Sequence, residues 1–237
     1  MSLLWPERIT LYIGPSGLSL TRSRQAVTWH PLKQGDWVAG LRALPALPRF
    51  SRLSVCVADC YARYLCLTWP PGLKAAEREA FLSHRFQAVF GVSADGWIML
   101  ADRDAVVHAF LAAALPRALV ETVKAFCQHR RLRLACITPA FIRDYNRFSH
   151  RFVADGAYSR LEDGRLTLGL WRNGRWLSVR SQAAPQAQDA IGACLAGLLP
   201  ILSAKGESVR TGTLYVNGDG ALSLPEGWLS VGLGEAS

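Results

Sequence analysis

Apolar residues along this chain recur mostly in short runs of period two, separated by tight turns. Arg8–Ile13 places Ile9, Leu11 and Ile13 at alternate positions, Leu18–Arg22 does the same with Leu18 and Leu20, and Ala26–Trp29 continues the pattern. Alternation of this kind predicts half-buried β-strands. A helix is predicted over Asp36–Leu44, closed by Pro45 and Pro48. Leu53–Ala58 reads as a buried strand, and Tyr61–Trp69 as another ending at the Pro70-Pro71-Gly72 break. The spacing of Phe81, Phe86, Val89 and Phe90 predicts a helix over Lys74–Phe90, with Glu77, Arg78, Glu79 and Arg85 on its polar side and Gly91 at its end.

Trp97–Ala101 fits a strand, and Val106–Ala114 is assigned as a strand entering a loop at Pro116. Leu119, Val123, Phe126 and Cys127 predict a helix over Arg117–His129, followed by a strand at Leu132–Ile137. Thr138 as N-cap and Pro139 at the first helical position then open a helix over Ala140–Phe148. The last third has strands at Tyr158–Glu162, Arg165–Trp171 and Trp176–Arg180, joined by the hairpin signals Asp163-Gly164 and Asn173-Gly174. A helix at Gln186–Leu199 and strands at Leu214–Val216 and Trp228–Val231 complete the chain.

Three strands, a helix and a strand thus occur twice, with an insertion between the copies. Arg8-Ile-Thr-Leu-Tyr-Ile-Gly-Pro-Ser-Gly17 parallels Arg165-Leu-Thr-Leu-Gly-Leu-Trp-Arg-Asn-Gly174. The predicted class is α/β, with two βββαβ lobes and an inserted α+β subdomain, and a cleft expected between the lobes. The expected divisions are 1–60 for the start of the first lobe, 61–130 for the insertion and connecting helix, and 131–237 for the second lobe.

Composition narrows the chemistry. With 237 residues, half of them hydrophobic and 19% charged, the chain can bury a substantial core. No apolar run reaches the ~18 residues of a membrane span, and Ala105–Leu115, the longest candidate, contains His108. The first residues lack the basic start and apolar stretch of a signal peptide, so a cytosolic location is expected. The six cysteines show no metal-type spacing, and Cys56, Cys66 and Cys136 are expected as buried small hydrophobes. A net charge of +9 favours acidic partners: a phospholipid surface, a nucleic acid or an acidic peptide. The one dense basic run, His129–Arg133, falls at a helix end, where cations suit the dipole.

No catalytic or metal-ligating residue emerges. Gly14-Pro-Ser-Gly17 lacks the Gly-Lys-Ser/Thr of a phosphate loop, no Gly-x-Ser-x-Gly elbow occurs, and the five histidines stand singly. Asp59, Asp102, Asp104 and Asp163 are too dispersed in predicted turns for a carboxylate-held metal cluster.

The stretch Val107–Pro116, the helix Arg117–His129, Leu134-Ala-Cys-Ile-Thr-Pro139 and Asp144-Tyr-Asn146-Arg resembles the middle of the type IV pilus assembly M protein and the cytoplasmic part of the type II secretion L protein. Leu67-Thr-Trp-Pro70 and Phe86-Gln-Ala-Val-Phe-Gly91 are similar to the secretion relatives. The resemblance covers most of 8–231 as a pattern and implies paired ribonuclease-H-like lobes of the actin type. It also implies an aspartate in each phosphate hairpin, as Asp-x-Gly, to hold hydrated Mg²⁺ in the active ATPases. Here Tyr12 stands at that position of the first hairpin, and Leu168–Gly174, taken as the second, has no carboxylate. Hydrolysis is therefore not expected. ATP, if bound, would meet Gly14, Gly17, Gly174, Gly218 and Asp219, the last two in the adenine-contacting turn that the resemblance implies.

The resemblance implies instead a cytoplasmic scaffold beside the inner membrane, gripping a short cytoplasmic peptide of a single-span membrane protein. The groove would lie among Leu11–Leu20, Val55–Trp69 and Lys74–Phe90, with Tyr61, Trp69 and Phe86 as contacts. A homo-oligomer is compatible with the sequence, which does not determine the oligomeric state. The alternatives are an actin-like ATP-binding protein with altered ligands and a nucleic-acid-binding protein, the latter disfavoured because exposed aromatics and basic repeats are not interleaved.

Overall fold

The computed structural model describes residues 6–22, 25–33, 35–91, 93, 95–101, 108–184, 187–217 and 222–234. The chain divides into two compact units, one of Met1–Ala62, Ala94–Ile98 and Leu115–Arg143, the other of Arg63–Ser93, Met99–Ala114 and Asp144–Ser237.

In the first unit, β1 (Arg8–Ile13), β2 (Gly17–Arg22), β3 (Thr28–Pro31), α1 (Trp37–Ala43) and β4 (Arg52–Val57) come first in the chain. The elements α3 (Arg117–Arg130), β8 (Arg133–Pro139) and the start of α4 (Ala140–Phe148) come from beyond the insertion. The sheet order is β3-β2-β1-β4-β8. β1 pairs antiparallel with β2 and parallel with β4, which pairs parallel with β8. Ile9, Leu11, Ile13, Leu53, Val55 and Val57 are buried, as the alternation predicts. α1 packs on β2, α3 on β8, and the two helices on each other. The Arg130 guanidinium donates to the carbonyls of Leu44 (3.0 Å) and Arg42 (3.4 Å), tying the C-terminal ends of the two helices together.

The second unit holds the inserted β5 (Arg63–Leu67) and α2 (Arg78–Phe90) and most of β6 (Trp97–Ala101) and β7 (Phe110–Pro116), and these strands form a small sheet of order β5-β7-β6. Its larger sheet contains β9 (Gly156–Glu162), β10 (Arg165–Arg172), β11 (Arg175–Ala183), β12 (Gly212–Val216) and β13 (Trp228–Gly232), in the order β11-β10-β9-β12-β13. One face packs on α5 (Ala187–Ala204) through Leu166, Leu168, Leu170 and Leu214 against Ile191, Leu195, Leu198 and Leu202. The other face carries an aromatic layer in which Tyr145 lies 4.6 Å from Trp176, and Phe152 lies 4.6 Å from Tyr215. Burial raises the Tyr145 phenol above its ordinary pKa.

Several expectations shift. The sequence divisions start the second lobe at 131, but β8 completes the first sheet, because parallel pairing with β4 needs a strand delivered by a crossover helix. β3 lies two residues later than Ala26–Trp29, and β5 is shorter than Tyr61–Trp69 because 59–61 form a 3₁₀ turn. β7 runs to Pro116 with α3 directly after it, so no loop intervenes, and residues 102–107, including the start of the expected Val106–Ala114 strand, lie outside the described residues. Thr138 and Pro139 end β8 rather than cap α4. The Phe141 N–H donates instead to the buried Asp59 carboxylate at 3.0 Å. On α2 the buried positions are Leu82 and Phe86, while Val89 and Phe90 are exposed. α5 continues past Leu199 because Leu202 completes the core, and its expected first residue, Gln186, is outside the described set. Cys136 is exposed because β8 is a sheet edge.

Leu195→Ala should cost about 3 kcal/mol in urea unfolding, the usual penalty for a cavity at a fully buried leucine. At pH 8, iodoacetamide should modify exposed Cys136 well before Cys66 and Cys127, whose thiols burial pushes up to about 11, leaving little thiolate. Peptide mass mapping over a labelling time course reads the order.

Candidate functional site

Topology decides which hairpins correspond. In the first sheet, β1 is the strand flanked by an antiparallel hairpin partner and a parallel fourth strand. In the second sheet that strand is β9, antiparallel to β10 and parallel to β12. The counterpart of the β1–β2 hairpin is therefore β9–β10, with the turn Asp163-Gly164. The sequence match had paired β1 with β10, which misplaced the second hairpin by one strand. Gly174 belongs to the β10–β11 turn, where Asn173 (φ 49°) and Gly174 (φ 70°) take the left-handed conformations of a two-residue hairpin.

The Gly14 N–H to Gly17 C=O bond (2.9 Å) closes the first hairpin, and the Glu162–Arg165 pair closes the second. Two residues earlier stand Tyr12 in one and Arg160 in the other. Tyr12 is where the resemblance puts the Mg²⁺-orienting aspartate of the first hairpin, and Arg160 is its counterpart by sheet register. Carboxylates do occur at the second turn once β9–β10 is taken as the hairpin: Asp163 lies exposed in the turn itself, while Glu162 beside it and Asp144 of α4 are engaged. Arg160 Nη1 donates to Asp144 Oδ2 of α4, and Nη2 donates to Glu162 Oε1. Asn217 Nδ2 adds bonds to Asp144 Oδ2 (3.3 Å) and to the Tyr158 hydroxyl (3.1 Å). Asp144 and Tyr158 are buried, and the Arg160 side chain is only 11% exposed. A guanidinium at this point repels a dication and already neutralises the nearest carboxylates, so these residues do not fit a hydrated Mg²⁺. Among the described residues, no three His, Cys, Asp or Glu side chains converge as metal ligands.

The glycines of the first hairpin serve ring packing. A Cβ on Gly14 would lie 2.7 Å from the Tyr12 ring, and one on Gly17 would lie 2.2 Å from the Trp29 indole. Neither glycine has positive φ. Gly218 and Asp219 lie outside the described residues.

The three expected groove residues fall in both units. Tyr61 belongs to the first unit, and Trp69 and Phe86 to the second. Phe86 is fully buried, but Trp69 lines a cleft of about 430 Å³ with Arg78, Glu79 and Leu82 on one side and Met99 and Leu100 of β6 on the other. The Trp69 ring stacks on Phe110 at 4.4 Å, with the Arg78 guanidinium 5.2 Å from its centroid. Its Nε1–H is buried without a hydrogen-bond acceptor among the described residues. β6 is the outer strand of its small sheet, and Leu100 is 51% exposed on it. The family resemblance, not sequence pattern, named Trp69 as a groove candidate. Sequence pattern is silent on the cleft and gave no signal for β6 as the other wall, since the register of β6 depends on β7.

No family model matches the sequence, and no curated protein matches it. Solved structures match by shape. The cytoplasmic domain of EpsL, an inner-membrane component of the type II secretion system of Vibrio cholerae, superposes with a TM-score of 0.61 over 96% of this chain and 90% of its own, at 11% identity. A Bacteroides thetaiotaomicron protein of actin-like ATPase fold and unknown function gives 0.59 over 91% and 83%, at 10% identity. A chain of the PilM–PilN type IV pilus biogenesis complex gives 0.53 over 90% and 82%, at 13% identity. The two five-stranded mixed sheets of like order, with a small antiparallel sheet inserted, are those of the actin-like ATPase fold, and this chain has that fold.

Proposed function

We propose that this chain is a non-catalytic component of an inner-membrane assembly platform, of the type II secretion or type IV pilus kind, that grips a partner's peptide. The observation that carries the non-catalytic part is Arg160, a cation held by Asp144 and Glu162 where an actin-like ATPase needs a carboxylate. The likeness in fold to the EpsL domain and to a chain of the PilM–PilN complex supports the platform role.

The Trp69 cleft is the place for the partner, an extended cytoplasmic segment of a single-span membrane protein. Its backbone would pair with the outer edge of β6, one of its carbonyls or carboxylates would accept from Trp69 Nε1–H, and an apolar side chain would cover Leu100. Strand addition of this kind takes its affinity from main-chain bonds and its selectivity from side-chain pockets. An acceptor for a buried indole N–H replaces a group that is costly to leave unpaired.

Calorimetric titration with synthetic cytoplasmic tails of single-span proteins encoded beside this chain should give saturable binding. Leu100→Glu, at an exposed position, should weaken it at least tenfold, and Trp69→Phe, which removes only the indole N–H and some volume, should weaken it severalfold. Binding that neither variant changes would reject this cleft. Titration with Mg-ATP should give no saturable heat, and ATP binding with turnover would overturn the non-catalytic reading in favour of an ATPase with altered ligands. Arg160→Met should destabilise the fold by about 3–5 kcal/mol in urea unfolding, because it strands Asp144 and Glu162 without their cation, and Arg160→Lys should cost less.

A further inference from the structure

The first unit has a second surface, at the end of its sheet opposite the Gly14–Gly17 hairpin. Strands β1, β4 and β8 all start there, and their first residues are Arg8, Arg52 and Arg133, in register with one another across the sheet. Parallel neighbours in register lie ~4.8 Å apart on the same face, and like charges so placed repel. All three are exposed, as are Arg49 and Arg131 in the adjoining turns. Residues 37–58 and 122–143, which build this end together with β1, contain no Asp or Glu. Glu7, which precedes Arg8 in the chain, is held in two hydrogen bonds by Arg22, at 2.8 and 3.0 Å.

Among these arginines stands Phe50, on a turn, 56% exposed and with a φ of 64°. The left-handed region is strained for a bulky residue, and such strain persists only where the surroundings impose it. Here they do: the Phe50 N–H donates to the Arg131 carbonyl at 2.7 Å, and the Arg133 N–H donates to the Ser51 carbonyl at 2.8 Å. Two backbone bonds thus lock the pre-β4 turn to the α3–β8 turn and hold an aromatic ring in solvent between basic side chains.

We propose that this end of the sheet docks on an anionic phospholipid surface, with Phe50 entering the interfacial layer and Arg49, Arg52, Arg131, Arg133 and Arg8 contacting phosphate headgroups. The chemistry favours lipid over nucleic acid. One aromatic on a turn suits a bilayer interface, whereas single-strand binding uses several aromatics along a groove. The surface lies about 20 Å from Gly14 by strand rise along β1, which leaves the hairpin end of that sheet clear. This inference is independent of the peptide cleft and of the proposed platform role.

Flotation of the full chain with vesicles tests it. Vesicles of phosphatidylcholine with roughly a third phosphatidylglycerol should carry the protein, pure phosphatidylcholine vesicles should not, and about 0.5 M salt should release it. The triple variant Arg52→Gln, Arg131→Gln, Arg133→Gln should lower partitioning by about a hundredfold, and the matching triple lysine variant should retain most of it. Phe50→Gly relieves the φ strain and should keep or raise thermal stability while lowering vesicle binding severalfold. Circular dichroism verifies folding of each variant. Equal binding to neutral vesicles, undiminished binding by the folded glutamine variant, or tighter binding to a single-stranded oligonucleotide or polyglutamate than to anionic vesicles at about 150 mM salt would each overturn the proposal.

Discussion

In each five-stranded sheet, one central strand must satisfy two kinds of neighbour at once. β1 hydrogen-bonds to β2 along one edge as a hairpin and to β4 along the other as a parallel pair, and β9 does the same with β10 and β12. The first pairing needs only a short turn, while the second needs a helix to return the chain in the same direction. That requirement places α1 and α3 on one sheet and α5 on the other, and with them the two cores. It also fixes which residues stand at the hairpin ends, so every statement about a lost or retained nucleotide site rests on the identity of the central strand.

At those hairpin ends the side chains serve internal packing and pairing. Tyr12 lies across Gly14 and Trp29 across Gly17, so the small residues accommodate the protein's own rings. In the second unit a buried guanidinium joins Asp144 of α4 to Glu162 of β9. A buried pair of this kind adds little net stability over an apolar substitute, yet breaking it is expensive. Its effect is to fix α4 against the sheet and to commit the local carboxylates. Scaffolding, in which geometry matters and turnover does not, is consistent with that commitment.

Two features stand out at the surfaces of the units: the Trp69 indole N–H, without an acceptor among the described residues, beside an outer strand, and the strained, exposed Phe50 among arginines. Stability alone would remove both. An acceptor or a smaller residue at 69, and a glycine or asparagine at 50, would each lower the energy of the isolated chain. Their retention is easier to understand if each meets something outside the molecule, one a peptide strand and the other a charged, partly apolar layer. The two surfaces belong to different units and demand different chemistry.

Local pattern was enough for most of the elements, for the order βββαβ repeated around an insertion, and for the turns Asp163-Gly164 and Asn173-Gly174, because period-two alternation and turn chemistry are encoded within a few neighbouring residues. Trp69 and the tyrosine at position 12 came instead from the family resemblance. Pairing across the sheet was beyond local pattern. The likeness of Arg8–Gly17 to Arg165–Gly174 reflects a shared strand–turn–strand pattern, and only the parallel bonds to β12 identify β9 as the true counterpart, bringing Arg160 and its carboxylates to the hairpin. The same dependence on distant partners left Cys136 exposed on an edge strand and placed Val89 and Phe90 in solvent. It also set three arginines, 44 and 81 positions apart along the chain, side by side in one row, because register is fixed by hydrogen bonds between strands that the chain reaches only after long excursions.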